Sequence, residues 1–207
     1  MADRTLRELE RRWKETGSVE DEAVLLLERV HVGDLAARRL EVAAAVGHPA
    51  ARVALTDRRA PRTPGEWTRV FAHAEPMWLR RAAASACTDL LAGYETAHAD
   101  DLRPRAALEA VEAWLVCPCE AHRAAAADLQ LLVAFTYDAM PDLALSLTEI
   151  AQGDAEVARE CLDAVFVSVG NDEAIRAGLR RDLVPWLLGY ADPVRERVEA
   201  RHQLEEP

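Results

Sequence analysis

Short runs of helical periodicity, each ended by a glycine or a proline, constrain the fold of this chain more than any other feature. Leu6, Leu9 and Trp13 recur at spacings of three and four residues. Gly17 ends this first run, and Gly33 ends the next one. Aromatic residues make up 5% of the chain and hydrophobic residues 50%, a composition that suits closely packed helices. The sequence therefore predicts an all-α fold, an irregular or HEAT-like stack of about ten antiparallel helices without a sheet.

Capping residues and first-turn prolines indicate where the helices begin. The predicted pairs of cap and helix are Ser18 with 19–32, Asp34 with 35–46, Asp100 or Asp101 with 102–116, and Asp192 with a last helix from Pro193. Further helices are predicted after Pro49, over 75–96, from Cys119 to Tyr137, over 141–152 and 155–169, and from Asp172 to a break at Pro185.

Residues 57–65 are the best candidate for a linker, because they combine prolines and arginines without an apolar partner. This linker would separate an N-terminal four-helix unit, 1–56, from a C-terminal helical domain, 66–207. The alternative is one continuous body, since a chain of 207 residues is long enough to build a single substantial core.

The formal net charge of −11 argues against a nucleic-acid interface, because binding a phosphate backbone needs a concentrated basic surface. Arg58, Arg59 and Arg62 form the densest basic stretch, but no aromatic side chains are interleaved among them to stack on bases. An acidic surface suits a basic protein partner instead. We therefore expect a protein partner and no nucleic acid.

The sequence indicates a cytoplasmic protein that does not insert into a membrane. The N-terminus has no apolar run of the kind that a secretory signal needs, and the apolar run at 129–135 is far shorter than a membrane helix. The four cysteines are then expected to stay reduced. Phosphate-binding glycine loops, nucleophile elbows and dinucleotide fingerprints are absent from the sequence, so we predict no catalytic residue and no cofactor.

The sharpest local motif is Cys117-Pro118-Cys119 followed by His122, where one helix stops and the next begins. Free cysteine is among the most buried residue types, so the preferred interpretation is that the two thiols pack in the core. Less favoured alternatives are a metal site, which would need a fourth ligand, and a redox pair.

The central helix carries a resemblance to a known family. The run DLRPRAALEAVEAWL, residues 101–115, resembles a helix of all-α immunity proteins of bacterial polymorphic toxin systems, which share Asp-x-Arg-Pro-Arg followed by Ala-Leu-Glu-Ala and Ala-Trp. The resemblance extends from Asp101 to about Arg123 and implies a non-catalytic protein that binds and blocks a cognate toxin. Residues 5–55 also resemble a helical module of uncharacterised proteins from G+C-rich bacteria such as myxobacteria, which implies no function.

If the immunity resemblance holds, the polar side of the central helix is the candidate partner surface. Its members are Asp101, Arg103, Arg105, Glu109 and Glu112, and Trp67, beside a Pro-Gly pair, is a further candidate contact. A solvated helix face is the alternative interpretation of these charges. An adaptor or scaffold subunit of a larger bacterial assembly is the alternative function, and a metal-binding or redox protein using Cys117, Cys119 and His122 is the third.

Overall fold

A computed structural model describes residues 2–56, 66, 70–71, 75–133 and 172–205. This part of the chain contains ten helices and no strand, which confirms the all-α prediction. The helices are α1 (Ala2–Thr16), α2 (Val19–His31), α3 (Ala37–Ala45), α4 (Pro49–Ala54), α5 (Pro76–Ala97), α6 (Arg103–Val116), α7 (Glu120–Val133), α8 (Asp172–Asp182), α9 (Val184–Leu187) and α10 (Pro193–Glu205). The linker at 57–65, Trp67, and the helices predicted over 141–152 and 155–169 lie outside the described residues.

One hydrophobic core runs through helices α2 to α9. It contains fully buried leucines from both ends of the chain, such as Leu26 and Leu40 on one side and Leu179 and Leu187 on the other. Buried alanines of α3, α4 and α5 share this core, and their small side chains let the helix backbones approach closely. Many of the alanines and leucines of this chain therefore lie in the core.

Several of the predicted helix starts are confirmed. The Ser18 hydroxyl accepts a hydrogen bond from the Asp21 backbone N–H at 3.1 Å and caps α2. Pro76 lies in the first turn of α5, and Asp192 accepts from the Arg195 backbone N–H at 3.2 Å at the start of α10. These signals depend only on residues near each helix end.

The predicted cap at Asp34 is wrong. Helix α3 begins two residues later than expected, at Ala37, and Ala36 precedes it without a side-chain cap. The Asp34 carboxylate instead accepts a hydrogen bond from Arg29 Nε at 2.6 Å. The Asp34 side chain is therefore paired with the preceding helix, α2, and does not cap α3.

Two arginines join residues 1–56 to residues 172–205 through the C-terminal ends of helices. Arg29 Nη1 donates to the Leu188 carbonyl at 2.5 Å, and Arg180 Nη1 donates to the Val46 carbonyl at 3.2 Å. A cation at these positions satisfies a free carbonyl and the negative end of the helix dipole. Gly47 has φ +92°, and a Cβ there would lie 3.0 Å from Arg180 Nη1, so both the turn and the approach of the arginine favour glycine.

A buried layer of ion pairs joins α6, α8 and α10. Glu112 of α6 is 3% exposed, accepts a hydrogen bond from Arg197 Nη2 at 2.7 Å and forms an ion pair with Arg201, whose Nη2 lies 2.8 Å from Glu112 Oε2. Arg197 also donates to the buried carboxylate of Asp182 at 2.8 Å. Although burial alone would lower the pKa of Arg197, the two carboxylates raise it. The expectation that Glu112 faces solvent is therefore wrong, because α10 covers it.

A second buried pair fixes the start of α10. Arg81, which is 3% exposed, donates to both carboxylate oxygens of Asp192 at 2.7 and 2.8 Å. Its guanidinium carbon also lies 4.3 Å from the centre of the Trp186 ring. Burial opposes ionisation of Asp192, but Arg81 outweighs it and lowers the pKa of this carboxyl.

No helix in the described part of the chain combines the length and the apolar character that a membrane span requires.

We predict that Glu112→Ala lowers the free energy of unfolding by about 3 kcal/mol, because it leaves Arg197 and Arg201 without a carboxylate that they share. Denaturant titration of purified protein measures this change. Glu109→Ala on the same helix is the matched control, since Glu109 is half-exposed, and it should change stability by less than about 0.5 kcal/mol. Equal effects of the two substitutions would contradict the role assigned to the buried layer.

We also predict a pH effect at His48, whose Nδ1 accepts the Ala51 backbone N–H at 3.3 Å and caps α4. Burial lowers the pKa of His48 and outweighs Glu22, which raises it. The unfolded chain then binds this proton more readily than the folded chain, so stability is lost as pH falls below about 6.5, the ordinary value for histidine.

His48→Asn keeps a capping acceptor but removes the titration. Its free energy of unfolding should therefore fall less than that of the wild type between pH 7.5 and 5, as measured by urea unfolding at each pH. His202→Asn, at an exposed position of α10, should retain the wild-type pH dependence. Parallel pH profiles for wild type and His48→Asn would exclude this contribution.

Candidate functional site

Helix α6 carries one candidate site at each end. Its 14 residues span about 20 Å at 1.5 Å per residue. The predicted partner residues Asp101 and Arg103 lie at its start, and the cysteine motif lies at its end. The two sites are therefore separate surfaces positioned by one helix.

Asp101 organises the start of α6. Its carboxylate accepts hydrogen bonds from Arg103 Nε and Nη2, both at 2.7 Å, from the Arg103 backbone N–H at 3.1 Å and from the Tyr94 hydroxyl at 2.8 Å. The hydrogen bonds from Arg103 hold the pKa of Asp101 well below its usual range. Burial acts in the opposite direction, and the hydrogen bond from Tyr94 lowers the pKa further. Asp101 thus supplies the acceptor expected of a cap.

Arg105 forms a second pair that fixes the start of α6 against the end of α5. Its Nε and Nη2 donate to the two carboxylate oxygens of Glu95 at 2.7 and 2.6 Å. This bidentate contact lowers the pKa of Glu95, although burial opposes the shift. The charge of Arg105 is therefore neutralised within the chain.

Beside these pairs lies an open groove of about 800 Å³, lined by residues 97–103, Ala106 and Leu129. Leu102 is 66% exposed in the turn that enters α6. The exposed Asp100 stands next to it and forms no ion pair with any described residue. The groove thus offers an apolar floor, a protruding leucine and an acidic rim.

The structure distributes the predicted partner residues unevenly. Asp101 and Arg103 line the groove, Arg105 lies beside it in its pair with Glu95, and Glu109 is half-exposed further along α6. Glu112 is buried under α10 and is not part of a surface. Trp67 lies outside the described residues.

Leu102 is the groove residue that the sequence interpretation missed. Its apolar side chain stands between two aspartates and an Arg-Pro pair, where a turn rather than a core is expected. Single exposed apolar residues are common on protein surfaces, so the sequence held no clear signal for Leu102, and only the groove beside it distinguishes this residue.

The cysteine motif forms the tight connection between α6 and α7. Cys117 ends α6 in an extended conformation, φ −133° and ψ 91°, as the residue before a proline requires. The Cys119 backbone N–H donates to the Cys117 carbonyl at 2.7 Å, and the Cys119 carbonyl accepts from the Arg123 backbone N–H at 3.1 Å. Cys119 therefore stands at the N-cap position of α7, and His122 follows on the same side of that helix.

Both thiols are exposed, so the preferred interpretation of buried packing is wrong. Sγ of Cys117, Sγ of Cys119 and a ring nitrogen of His122 lie within 4.8 Å of one another. Among the described residues this is the one group of three or more His, Cys, Asp and Glu side chains whose ligand atoms converge in this way.

The two thiols differ in acidity. The His122 backbone N–H, and then the Cys117 thiol, stabilise the Cys119 thiolate and lower the pKa of Cys119. Cys117 donates to this sulfur, and its own pKa is raised, chiefly by Cys119 and also by desolvation. Cys119 is therefore the more readily ionised sulfur of the pair.

No family model, curated protein sequence or solved structure matches the chain. Its function must therefore be inferred from its own residues.

We predict that Asp101→Ala lowers the free energy of unfolding by about 1–2 kcal/mol, because α6 loses the acceptor for its first N–H and Tyr94 loses its partner. Thermal and denaturant unfolding measure this loss. Asp100→Ala, one residue earlier and exposed, is the matched control and should leave stability within about 0.5 kcal/mol of the wild type. The opposite ranking would contradict the structural role of Asp101.

Proposed function

We propose that the protein is a non-catalytic protein-binding module, an immunity protein that neutralises a basic toxin domain by binding it at the groove before α6. The observation that carries the proposal is the exposed Leu102, held beside a set of rigid polar groups at the mouth of an open groove. Leucine is under-represented among the residues that dominate protein interfaces, so the proposal rests on the place of Leu102 beside a groove, where a partner can bury it fully.

The polar groups around the groove support recognition by shape more than by net charge. Arg103 is neutralised by Asp101, and Arg105 by Glu95, so neither pair has to be rearranged for binding. Binding to a surface that is already ordered costs less side-chain entropy than binding to a mobile one.

The partner is inferred to be basic for two reasons. Asp100 presents a carboxylate at the rim without an ion pair to any described residue, and the whole chain carries a formal net charge of −11. A long-range field of this sign speeds the encounter with a cationic partner. An apolar side chain that packs on Leu102 and Ala106, next to a lysine or arginine that reaches Asp100, would fit the groove.

The proposal is tested with tagged wild type, Leu102→Asp and Leu204→Asp. Leu204 is 87% exposed on α10 and lies outside the groove, so its variant controls for the added charge and the lost leucine. Each protein is used to capture partners from lysate of the source bacterium, and the captured partner is then purified and its affinity measured by calorimetry. We expect Leu102→Asp to weaken binding by about 30-fold or more, and Leu204→Asp by less than about twofold.

A growth assay separates neutralisation from scaffolding. Expression of the captured partner alone should arrest growth, and coexpression of wild type or Leu204→Asp should restore it, whereas Leu102→Asp should not. Capture of several subunits of one assembly without a growth effect would favour an adaptor and overturn the neutralising role. Unchanged binding by Leu102→Asp would overturn the groove as the interface.

A further inference from the structure

The three convergent side chains at the end of α6 have the spacing of metal ligands. Cys119 Sγ lies 3.5 Å from His122 Nδ1, and all three candidate ligand atoms lie within 4.8 Å of one another. Around a tetrahedral Zn²⁺, with Zn–S of about 2.3 Å and Zn–N of about 2.0–2.1 Å, neighbouring ligand atoms stand about 3.6–3.8 Å apart. Side-chain rotations that close the triangle by about 1 Å would therefore complete this geometry.

The backbone already holds the three residues in place. The Cys117 N–H donates to the Ala113 carbonyl at 2.9 Å, and the Cys119 N–H donates to the Cys117 carbonyl at 2.7 Å. Pro118 restricts the turn further, and α6 and α7 pack against each other on either side of it. Binding an ion would consequently cost little conformational entropy, because the backbone around the three residues is already ordered. A low entropy cost favours a high affinity.

The type of ligand selects the type of ion. Two thiolates and an imidazole suit soft and borderline cations, whereas Mg²⁺ and Ca²⁺ prefer oxygen ligands. Glu120, the adjacent carboxylate, is paired with Arg123. Both sulfurs are exposed, so an ion can reach them from solvent.

We propose that Cys117, Cys119 and His122 bind one Zn²⁺ ion per chain, through two thiolates and one imidazole nitrogen, with the fourth coordination position open to solvent. Both thiols release their protons to solvent when the ion binds. A site with three protein ligands leaves room for a water molecule or an external ligand on the ion. This proposal does not depend on the groove or its partner.

The histidine must change one contact for this to happen. His122 Nδ1 lies 2.9 Å from the Cys117 carbonyl oxygen, where a protonated Nδ1 donates a hydrogen bond. In the tautomer with the proton on Nε2, the Nδ1 lone pair is available to the ion. The hydrogen bond to Cys117 is then exchanged for the bond to zinc, and the imidazole remains neutral.

The test uses the full chain, reduced and freed of metal by a chelator. Titration with Co²⁺ should produce sulfur-to-cobalt charge-transfer absorption and the strong visible bands of a tetrahedral ion, and one equivalent of Zn²⁺ should remove both. Mg²⁺ should produce no change. Metal analysis of the gel-filtered protein should give one zinc per chain, and Zn²⁺ should raise the melting temperature of the wild type.

Matched variants identify the ligands. Cys119→Ser retains an N-cap side chain for α7 but removes a soft ligand. It should weaken Zn²⁺ binding by at least about 100-fold, since loss of a hydrogen-bond partner of a metal ligand already costs about 10–100-fold. Cys117→Ser and His122→Ala should also weaken binding, whereas His202→Ala, at an exposed position of α10, should bind Zn²⁺ as the wild type does. Circular dichroism of each variant verifies that the helices remain folded.

Four results would overturn the proposed site. They are the absence of Co²⁺ and Zn²⁺ binding by the wild type, undiminished binding by the Cys117→Ser/Cys119→Ser double variant, half an ion per chain in a metal-linked dimer, and loss of binding after Cys161→Ser, a substitution at a cysteine outside the described residues. Half an ion per chain would mean that two chains supply ligands to one ion. Loss of binding after Cys161→Ser would mean that Cys161 is a fourth ligand, at the position proposed to be open.

Discussion

The arrangement of the C-terminal helices depends on Arg197, whose guanidinium lies between the buried carboxylates of Glu112 and Asp182. Helix α10 buries only Val194 and Val198 among its apolar residues, so apolar contacts alone hold it weakly. Charges taken out of water are costly unless they are paired and hydrogen-bonded, and here each of these partners comes from a different helix. These ion pairs therefore favour one position of α10 on α6 and α8. They also fix the middle of α6, the helix that carries both candidate sites.

Local sequence signals predicted most of the described helices, and side-chain contacts that helical periodicity does not show account for the errors. Ser18 and Asp192 cap as predicted, because a cap involves only the next few residues. Asp34 fails as a cap because Arg29 competes for its carboxylate. Glu112 shares a helical face with Arg105 and therefore looked solvated. Its arginine partner lies 85 positions further along the chain, a pairing that periodicity cannot reveal.

The two candidate sites were predictable to different degrees, because some of their features depend on neighbouring residues and others on the packing of whole helices. The proximity of Cys117, Cys119 and His122 follows from Pro118 and the start of a helix, which are local features. Their exposure does not follow, since cysteine composition favours burial and only the packing of α6 on α7 turns this connection outward. The charged surface of α6 was overestimated because α5, α7 and α10 all pack on this helix. What remains exposed is its entrance, where Leu102 rather than the charges marks the surface.

The two candidate sites use their polar groups in opposite ways. At the entrance of α6, Asp101 and Glu95 are already paired with arginines, so a partner would gain little from their charge and most from packing on Leu102. At the other end, two sulfurs and an imidazole have only weak or exchangeable contacts, so a metal ion would supply most of the binding energy. Coupling between the sites would need an element with two arrangements. Helix α6 packs against three described helices and is ion-paired at Glu112, which favours a single arrangement of this helix.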